Sequence, residues 1–250
     1  MDPSAATWIA VILLVLLSGI TTLIGVGLAL WLGNSAKGIS TGMGFSAGIM
    51  ILIATVELIP ESASEAGLLR SLVTVAFGAA AVASLHVIIP HTHLIEEKGK
   101  LDSHLLQGAY LVAFGLILHD FPEGFAMANS YVASPSLGVL VALAIALHNI
   151  PEEFAMAAPA VALQRKRFLF TAALVSALAE PAGALLGLVA VRLDPGLNPH
   201  FMAFAAGAMV FVSLHELFPM ARRYGRVHLF AVGAGLSVVA YALLALAVPR

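Results

Sequence analysis

Apolar stretches of about 20 residues or more recur along almost the whole chain, and they limit its fold more than any other feature. About 20 residues of α-helix cross the roughly 30 Å hydrocarbon core of a bilayer, whereas a transmembrane β-strand needs only about half that number. Mean hydropathy is +0.99, and only 10% of the residues are charged. The sequence therefore predicts an all-α, polytopic membrane protein with the lipid bilayer as its surroundings, and it excludes the soluble enzyme classes.

Glycine, proline and charged residues divide these stretches into eight predicted transmembrane helices. The helices cover about 6–32, 38–60, 71–90, 105–128, 137–163, 168–191, 200–221 and 228–249. The longest loop, about 91–104, is too short to hold a soluble domain, so we expect residues 1–250 to form a single transmembrane domain. The first span lacks a basic segment before it and a small-residue cleavage site, which favours a retained helix over a signal peptide.

Lysine and arginine are unevenly divided between the two sides of this eight-helix arrangement. Nine of the twelve fall in the loops that follow helices one, three, five and seven. The opposite side has only Arg70, Arg192 and Arg250. Because cytoplasmic loops carry the excess of basic residues, both termini are expected outside a cell membrane.

Two internal repeats relate helices that run in opposite directions. The pattern LH-x-x-PE-x-FAMA occurs at 118–128 and again at 147–157. Residues 45–60 and 204–219 share Phe, Gly, Met, Glu, Leu and Pro at a constant offset of 159. This pattern predicts a 3+2+3 inverted repeat, which is typical of transporters. Small residues four apart, such as Gly44 with Gly48 and Gly183 with Gly187, predict close helix packing.

Half of the fourteen acidic residues fall at membrane depth, and no lysine or arginine does. They are Glu57, Asp120, Glu123, Glu152, Glu153, Glu180 and Glu216. A carboxylate at the centre of a membrane helix costs on the order of 2.5–3.5 kcal/mol, and no buried base is available to neutralise these. The site therefore needs cations or protons.

Histidines beside these acids indicate a metal. His119 and Glu123 are four residues apart, as are His148 and Glu152, so each pair lies on one helical face and could reach a common ion. Imidazole and carboxylate are ligands of zinc, iron(II) and manganese, and the chain has no cysteine. Asp120 and Asn149 lie one step round each helix and could hold a second ion, bridged to the first by Glu123 or Glu152.

A pathway through the membrane follows from the acids at the helix ends. Glu57 lies late in an outward helix and Glu216 late in an inward one. We interpret these as an outer entrance near Glu57 and an exit past Glu216 towards His91 and His93 in the cytoplasmic loop. The two loop histidines could equally be ordinary solvated residues.

Other classes of function fit the sequence less well. An intramembrane metal-dependent hydrolase, the alternative we retain, would want two histidines and a glutamate as HExxH, but HELFP at 215–219 lacks the second histidine. A proton-only pathway explains the acids but not the repeated His-x3-Glu pairs. We expect no enzyme activity, no cofactor besides a transported metal and no nucleic-acid partner.

Five motifs resemble the ZIP (Zrt/Irt-like) divalent metal transporters, particularly the bacterial zinc transporter and GufA-like branch. They are HDFPEG (119–124), HNIPEE (148–153), FSAGIMILIATVELIPES (45–62), AEPAGA (179–184) and FAAGAMVFVSLHELFP (204–219). The resemblance implies uptake of zinc into the cytoplasm across a bacterial inner membrane, with iron(II), manganese, cobalt and cadmium as further cargo. It also implies a homodimer.

The resemblance further implies which residues bind metal. The first position would use His119, Glu123, His148 and Glu152, with Met50 as an additional ligand. The second would use Asp120, Asn149 and Glu180, with the helix-four and helix-five glutamates bridging. Many relatives have Asn where this chain has Asp120 and Gly where it has Glu153. Glu153 has no equivalent in helix four, where Gly124 stands, and we expect it either to face a neighbouring polar group or to stay protonated.

Overall fold

The computed structural model describes residues 3–88, 119–162, 164 and 166–249. This part of the chain contains eight helices, which we number in chain order. They are α1 (Ala5–Leu32), α2 (Ala36–Ala66), α3 (Leu68–Ile88), α4 (119–133), α5 (Pro135–Ala162), α6 (Lys166–Leu193), α7 (Pro195–Arg223, beginning with a 3-10 turn) and α8 (Val227–Ala247).

Seven of the helices in the described part are long and apolar enough to cross a membrane. Helix α4 is described only from residue 119, within the fourth predicted span. Large apolar side chains such as Leu13, Leu23 and Leu246 are exposed on the outside of the bundle, where a bilayer would cover them. The prediction of a polytopic all-α membrane protein is confirmed.

The helices pack in the arrangement that an inverted repeat requires. Helix α2 packs along α8, and α7 packs along α3, so the second helix of each three-helix unit contacts the third helix of the other unit. Helix α5 is the most buried of the seven spans and contacts α1, α2 and α6. Helix α5 thus lies in the interior and contacts helices of both repeated units.

Four glycines hold the pairs α2–α8 and α3–α7 in close contact. A β-carbon on Gly44 would lie 1.9 Å from the carbonyl oxygen of Phe230, and one on Gly233 would lie 1.9 Å from that of Thr41. The other pair repeats this contact, with Gly78 against Phe204 and Gly207 against Val75 at 2.1 and 1.9 Å. Backbones can approach this closely only without side chains, so the packing role predicted for the small residues is confirmed.

Helices α2 and α7 each contain a π-helical turn at the same place in the repeat. The turns cover Ile53–Leu58 and Ser213–Leu217, and Pro60 and Pro219 lie two residues after their ends. We predicted helix ends near 60 and 221, but the helices continue to Ala66 and Arg223. Each proline lies just after a π-turn, where the regular hydrogen-bond pattern of the helix is already shifted, and the helix continues beyond it.

The predicted end of the fourth helix, at 128, is also too early, because α4 continues to 133. Asn129 resembles a helix-ending residue in the sequence. Its side-chain amide instead donates to the carbonyl oxygen of Phe125, 2.9 Å away on the preceding turn. The polar group is therefore satisfied within the helix and does not interrupt it.

Candidate metal centre

The predicted ligands lie together in the interior, between α4, α5 and α6. His119, Glu123 and His148 are completely buried. Helix α6 packs closely against α4 because a glycine lies on each helix at their contact, where a side chain would not fit. A β-carbon on Gly124 would lie 2.2 Å from the carbonyl oxygen of Glu180, and one on Gly183 would lie 2.0 Å from that of Phe121. The close approach brings the Glu180 side chain to the ligands on α4.

The two His-x3-Glu pairs exchange partners between helices. His119 Nε2 lies 3.0 Å from Glu152 Oε2, and His148 Nε2 lies 3.0 Å from Glu123 Oε1. Within α4 itself, His119 Nε2 and Glu123 Oε1 are 4.0 Å apart. Each histidine on one helix thus faces the glutamate of the other, as expected for two related helices that run in opposite directions.

The hydrogen bonding of His148 leaves its second ring nitrogen available to a metal. Nδ1 lies 2.9 Å from the carbonyl oxygen of Ala144, which can only accept a hydrogen bond, so Nδ1 carries the proton. In the neutral ring, the Nε2 lone pair then faces a carboxylate oxygen of Glu123 at 3.0 Å. Two acceptors at this distance require a cation between them, either a proton or a metal ion.

Two overlapping groups of donor atoms could each hold one ion. His119, Glu123 and Glu152 offer atoms that all lie within 4.8 Å of one another, and so do Asp120, Glu123 and Glu180. Neighbouring ligand atoms of a tetrahedral zinc ion lie roughly 3.3 Å apart. Small movements of the side chains would therefore bring either group of donor atoms to the spacing that an ion requires. Glu123 belongs to both groups, so the geometry favours it over Glu152 as a bridging residue.

Several buried oxygens at the centre have no hydrogen-bond partner among the residues that the structure describes. They are Glu123 Oε2, Glu152 Oε1, Glu153 Oε2, Glu180 Oε2 and Asn149 Oδ1. An unpartnered buried oxygen costs about 1–3 kcal/mol, and more if it is charged. All five can only accept or coordinate when the acids are ionised, so the cluster is suited to binding cations.

Three serines support the centre, and none of them is among the residues predicted from the sequence. The hydroxyl of Ser46 on α2 donates to the carbonyl oxygen of His148 at 2.9 Å. Asn149 donates to Ser18 on α1 at 2.7 Å and also to Glu180 on α6. Ser176 donates towards both Asp120 and Glu153. Only Ser176 carried a signal in the sequence, since it lies four residues before Glu180 on the same face of α6.

Five other predicted residues complete the set: Met50, Glu57, Glu216 and the two loop histidines. Met50 is fully buried, and its sulfur lies 3.8 Å from the Ser213 hydroxyl. Glu57 is buried in the first π-turn and accepts a hydrogen bond from the hydroxyl of Tyr241. Glu216 is half-buried in the second π-turn. His91 and His93 lie outside the described residues, so their role stays a prediction.

The fold and the buried cluster define a multi-pass membrane protein with an imidazole and carboxylate centre of the kind that divalent metals occupy. The family model for the ZIP zinc transporter matches residues 90–244. The zinc transporter ZupT of Chlorobium phaeovibrioides is 36% identical over 94% of this chain and 97% of its own length. Those of Corynebacterium aurimucosum and Streptococcus mutans are 35% and 33% identical, over 92% and 93% of this chain and 94% and 96% of theirs.

The chain belongs to the ZIP family, as the five motifs indicated. The match covers the two His-x3-Glu helices and the helix that carries Glu180. Neither the family nor these relatives supports the intramembrane hydrolase that we retained as an alternative.

Proposed function

We propose that this protein carries divalent metal ions, chiefly zinc, across the membrane into the cytoplasm through the cluster between α4, α5 and α6. The observation that carries the proposal is the pairing of His148 Nε2 with Glu123 Oε1 at 3.0 Å, with Nδ1 already committed to the backbone. A neutral histidine held in this way presents a lone pair, as metal-ligating histidines do. The names of the relatives, all zinc transporters, support zinc as the main cargo.

The residues have distinct roles in this proposal. His119, Glu123, His148 and Glu152 bind the first ion, with Met50 as an additional soft ligand. Asp120, Asn149 and Glu180 bind the second, and Glu123 bridges the two. The first set mixes imidazole with carboxylate and suits zinc, whereas the second offers only oxygen and suits harder ions such as manganese.

The route to and from the centre follows the polar residues on either side. Glu57 and Glu216 lie in π-turns at related positions of the two repeated units. We assign Glu57 to the outer entrance and Glu216 to the inner exit, followed by His91 and His93. Iron(II), manganese, cobalt and cadmium are further cargo in this proposal, the location is a bacterial inner membrane, and the assembly is a homodimer.

Uptake into proteoliposomes tests the function directly. Purified protein is reconstituted, and the accumulation of zinc, iron(II), manganese, cobalt and cadmium is compared with that of empty vesicles. We expect saturable zinc uptake that competes with the other ions. Binding of zinc with no accumulation in vesicles would contradict transport, and metal-dependent cleavage of a peptide or lipid would support the hydrolase instead.

Both termini and the loop before α7 are predicted to lie outside, and the loop after α7 inside. The chain has no cysteine, so one introduced cysteine reports its own side. We expect Asp194→Cys to react with a membrane-impermeant maleimide on spheroplasts and Arg223→Cys to react only after permeabilisation. Both positions are exposed, so equal labelling of both before permeabilisation would contradict the orientation.

A further inference from the structure

Glu153 is the acid at the centre that neither metal position uses. It follows Glu152 on α5, and the equivalent position of α4 is Gly124. Its side chain is 4% exposed, and one oxygen accepts a hydrogen bond from Ser176. The other oxygen, Oε2, is buried with no partner among the described residues. A buried carboxylate oxygen without a donor is costly, so the arrangement requires an explanation.

The Ser176 hydroxyl lies between two carboxylates but has only one proton to donate. Asp120 Oδ2 lies 2.7 Å from it, and Glu153 Oε1 is its second acceptor. One of the two contacts therefore sets oxygen lone pairs against each other unless a proton or a metal cation lies among them. Both acids are about 95% buried, and His119 Nε2 lies 3.7 Å from the other oxygen of Asp120, Oδ1. No described lysine or arginine forms an ion pair with either acid.

The charge and the donor atoms together indicate what would occupy this place. Two carboxylates supply two negative charges, which match one divalent cation. All three donor groups are oxygens, without the imidazoles of the first position. Oxygen-only sites suit magnesium, calcium and manganese, and ions of this class complete their coordination with water.

We propose that Glu153, Ser176 and Asp120 form a third cation position, which binds a hard divalent ion while zinc occupies the histidine-containing position. The inference rests on the proposed function, because Asp120 also belongs to the second position. Glu123 bridges the first and second positions, and Asp120 bridges the second and third. The three positions thus form a continuous row. Ser176 extends this row along α6 by one turn beyond Glu180, about 6 Å.

Manganese binding to zinc-loaded protein tests this position. Purified protein is given one equivalent of zinc, and bound manganese is measured by equilibrium dialysis and by the EPR signal of the free ion. We expect Glu153→Gln to lower the number of manganese ions bound per chain by about one, or to lower the affinity for one of these ions at least ten-fold. Ser176→Ala should lower the affinity for the same manganese ion, because it removes one coordinating oxygen and keeps both acids.

Matched variants separate this effect from a general one. Glu65→Gln removes an exposed carboxylate from α2, and Ser84→Ala removes an exposed hydroxyl from α3, so both should bind manganese as the unchanged protein does. If Glu153→Gln does not fold, Glu153→Gly gives α5 the residue that α4 has at this place. Equal manganese binding by the unchanged protein and the Glu153 variants would overturn the third position.

Zinc uptake by the same preparation keeps the two proposals apart. Loss of one manganese ion in the Glu153 variants supports the third position whether or not the unchanged protein accumulates zinc in vesicles. Failure of that uptake would instead contradict the proposed transport. Zinc-loaded, unchanged protein that binds no manganese at all would overturn the third position and leave transport supported by its own measurement.

Discussion

Zinc uptake should fall at least about 100-fold when Glu123 and Glu152 are both replaced by glutamine. Outer residues that only orient a metal ligand already contribute 10–100-fold, and here two direct ligands are lost. Each of these glutamates also faces a histidine at 3.0 Å, so the change removes the negative charge from both cross-helix pairs together. Tracer uptake into proteoliposomes at equal protein content measures the effect.

The structure predicts that this variant folds well, which makes the loss of uptake interpretable. The Nε2 lone pair of His148 lies 3.0 Å from Glu123 Oε1, and an amide there can donate to it without any metal. We therefore expect the metal-free variant to melt at or above the temperature of the metal-free, unchanged protein. Zinc should bind the folded state of the unchanged protein and so raise its melting temperature. It should not raise the melting temperature of the variant.

A double replacement of exposed acids is the matched control. Glu65→Gln with Asp194→Asn also removes two carboxylates, but both lie at exposed positions near helix ends. Uptake and the zinc-dependent rise in melting temperature should both survive. Uptake by the Glu123 and Glu152 variant at the rate of this control would place the transport pathway elsewhere in the molecule.

The residues of the buried cluster could be predicted from the sequence because their spacing is local. Residues four apart share a helical face whatever the helix packs against, so His119 with Glu123 and His148 with Glu152 were found from the chain alone. Their exchange of partners between α4 and α5 depends on how far each helix is rotated about its axis. That rotation is set by contacts such as Gly124 against Glu180, which are distant in the sequence.

The supporting residues and helix ends were harder to predict for related reasons. Ser46 and Ser18 are small polar residues in apolar helices, and nothing near them in the sequence indicates that they face His148 and Asn149. Pro60 was taken as the end of a helix because proline usually ends one. The preceding π-turn allows α2 to continue, and a π-turn has no clear sequence pattern of its own.

Gly44→Leu should destabilise the fold by about 3 kcal/mol or more, because the new side chain has no space. Its β-carbon alone would lie 1.9 Å from the Phe230 carbonyl oxygen, and backbone cannot move aside as a flexible side chain can. The α2–α8 pair would have to separate. We expect a melting temperature lower by roughly 10 °C in detergent, or no recoverable folded protein.

The same substitution elsewhere on a membrane helix separates the clash from the change in residue type. A β-carbon on Gly27 of α1 would have no neighbour within 4 Å, so Gly27→Leu adds an apolar side chain at an open position and should melt close to the unchanged protein. Gly207→Leu should repeat the loss, since Gly207 makes the equivalent contact with Val75 in the α3–α7 pair. Strongly different melting temperatures of Gly44→Leu and Gly207→Leu would contradict this expectation. The two close helix contacts would then contribute unequally to stability, despite their symmetry.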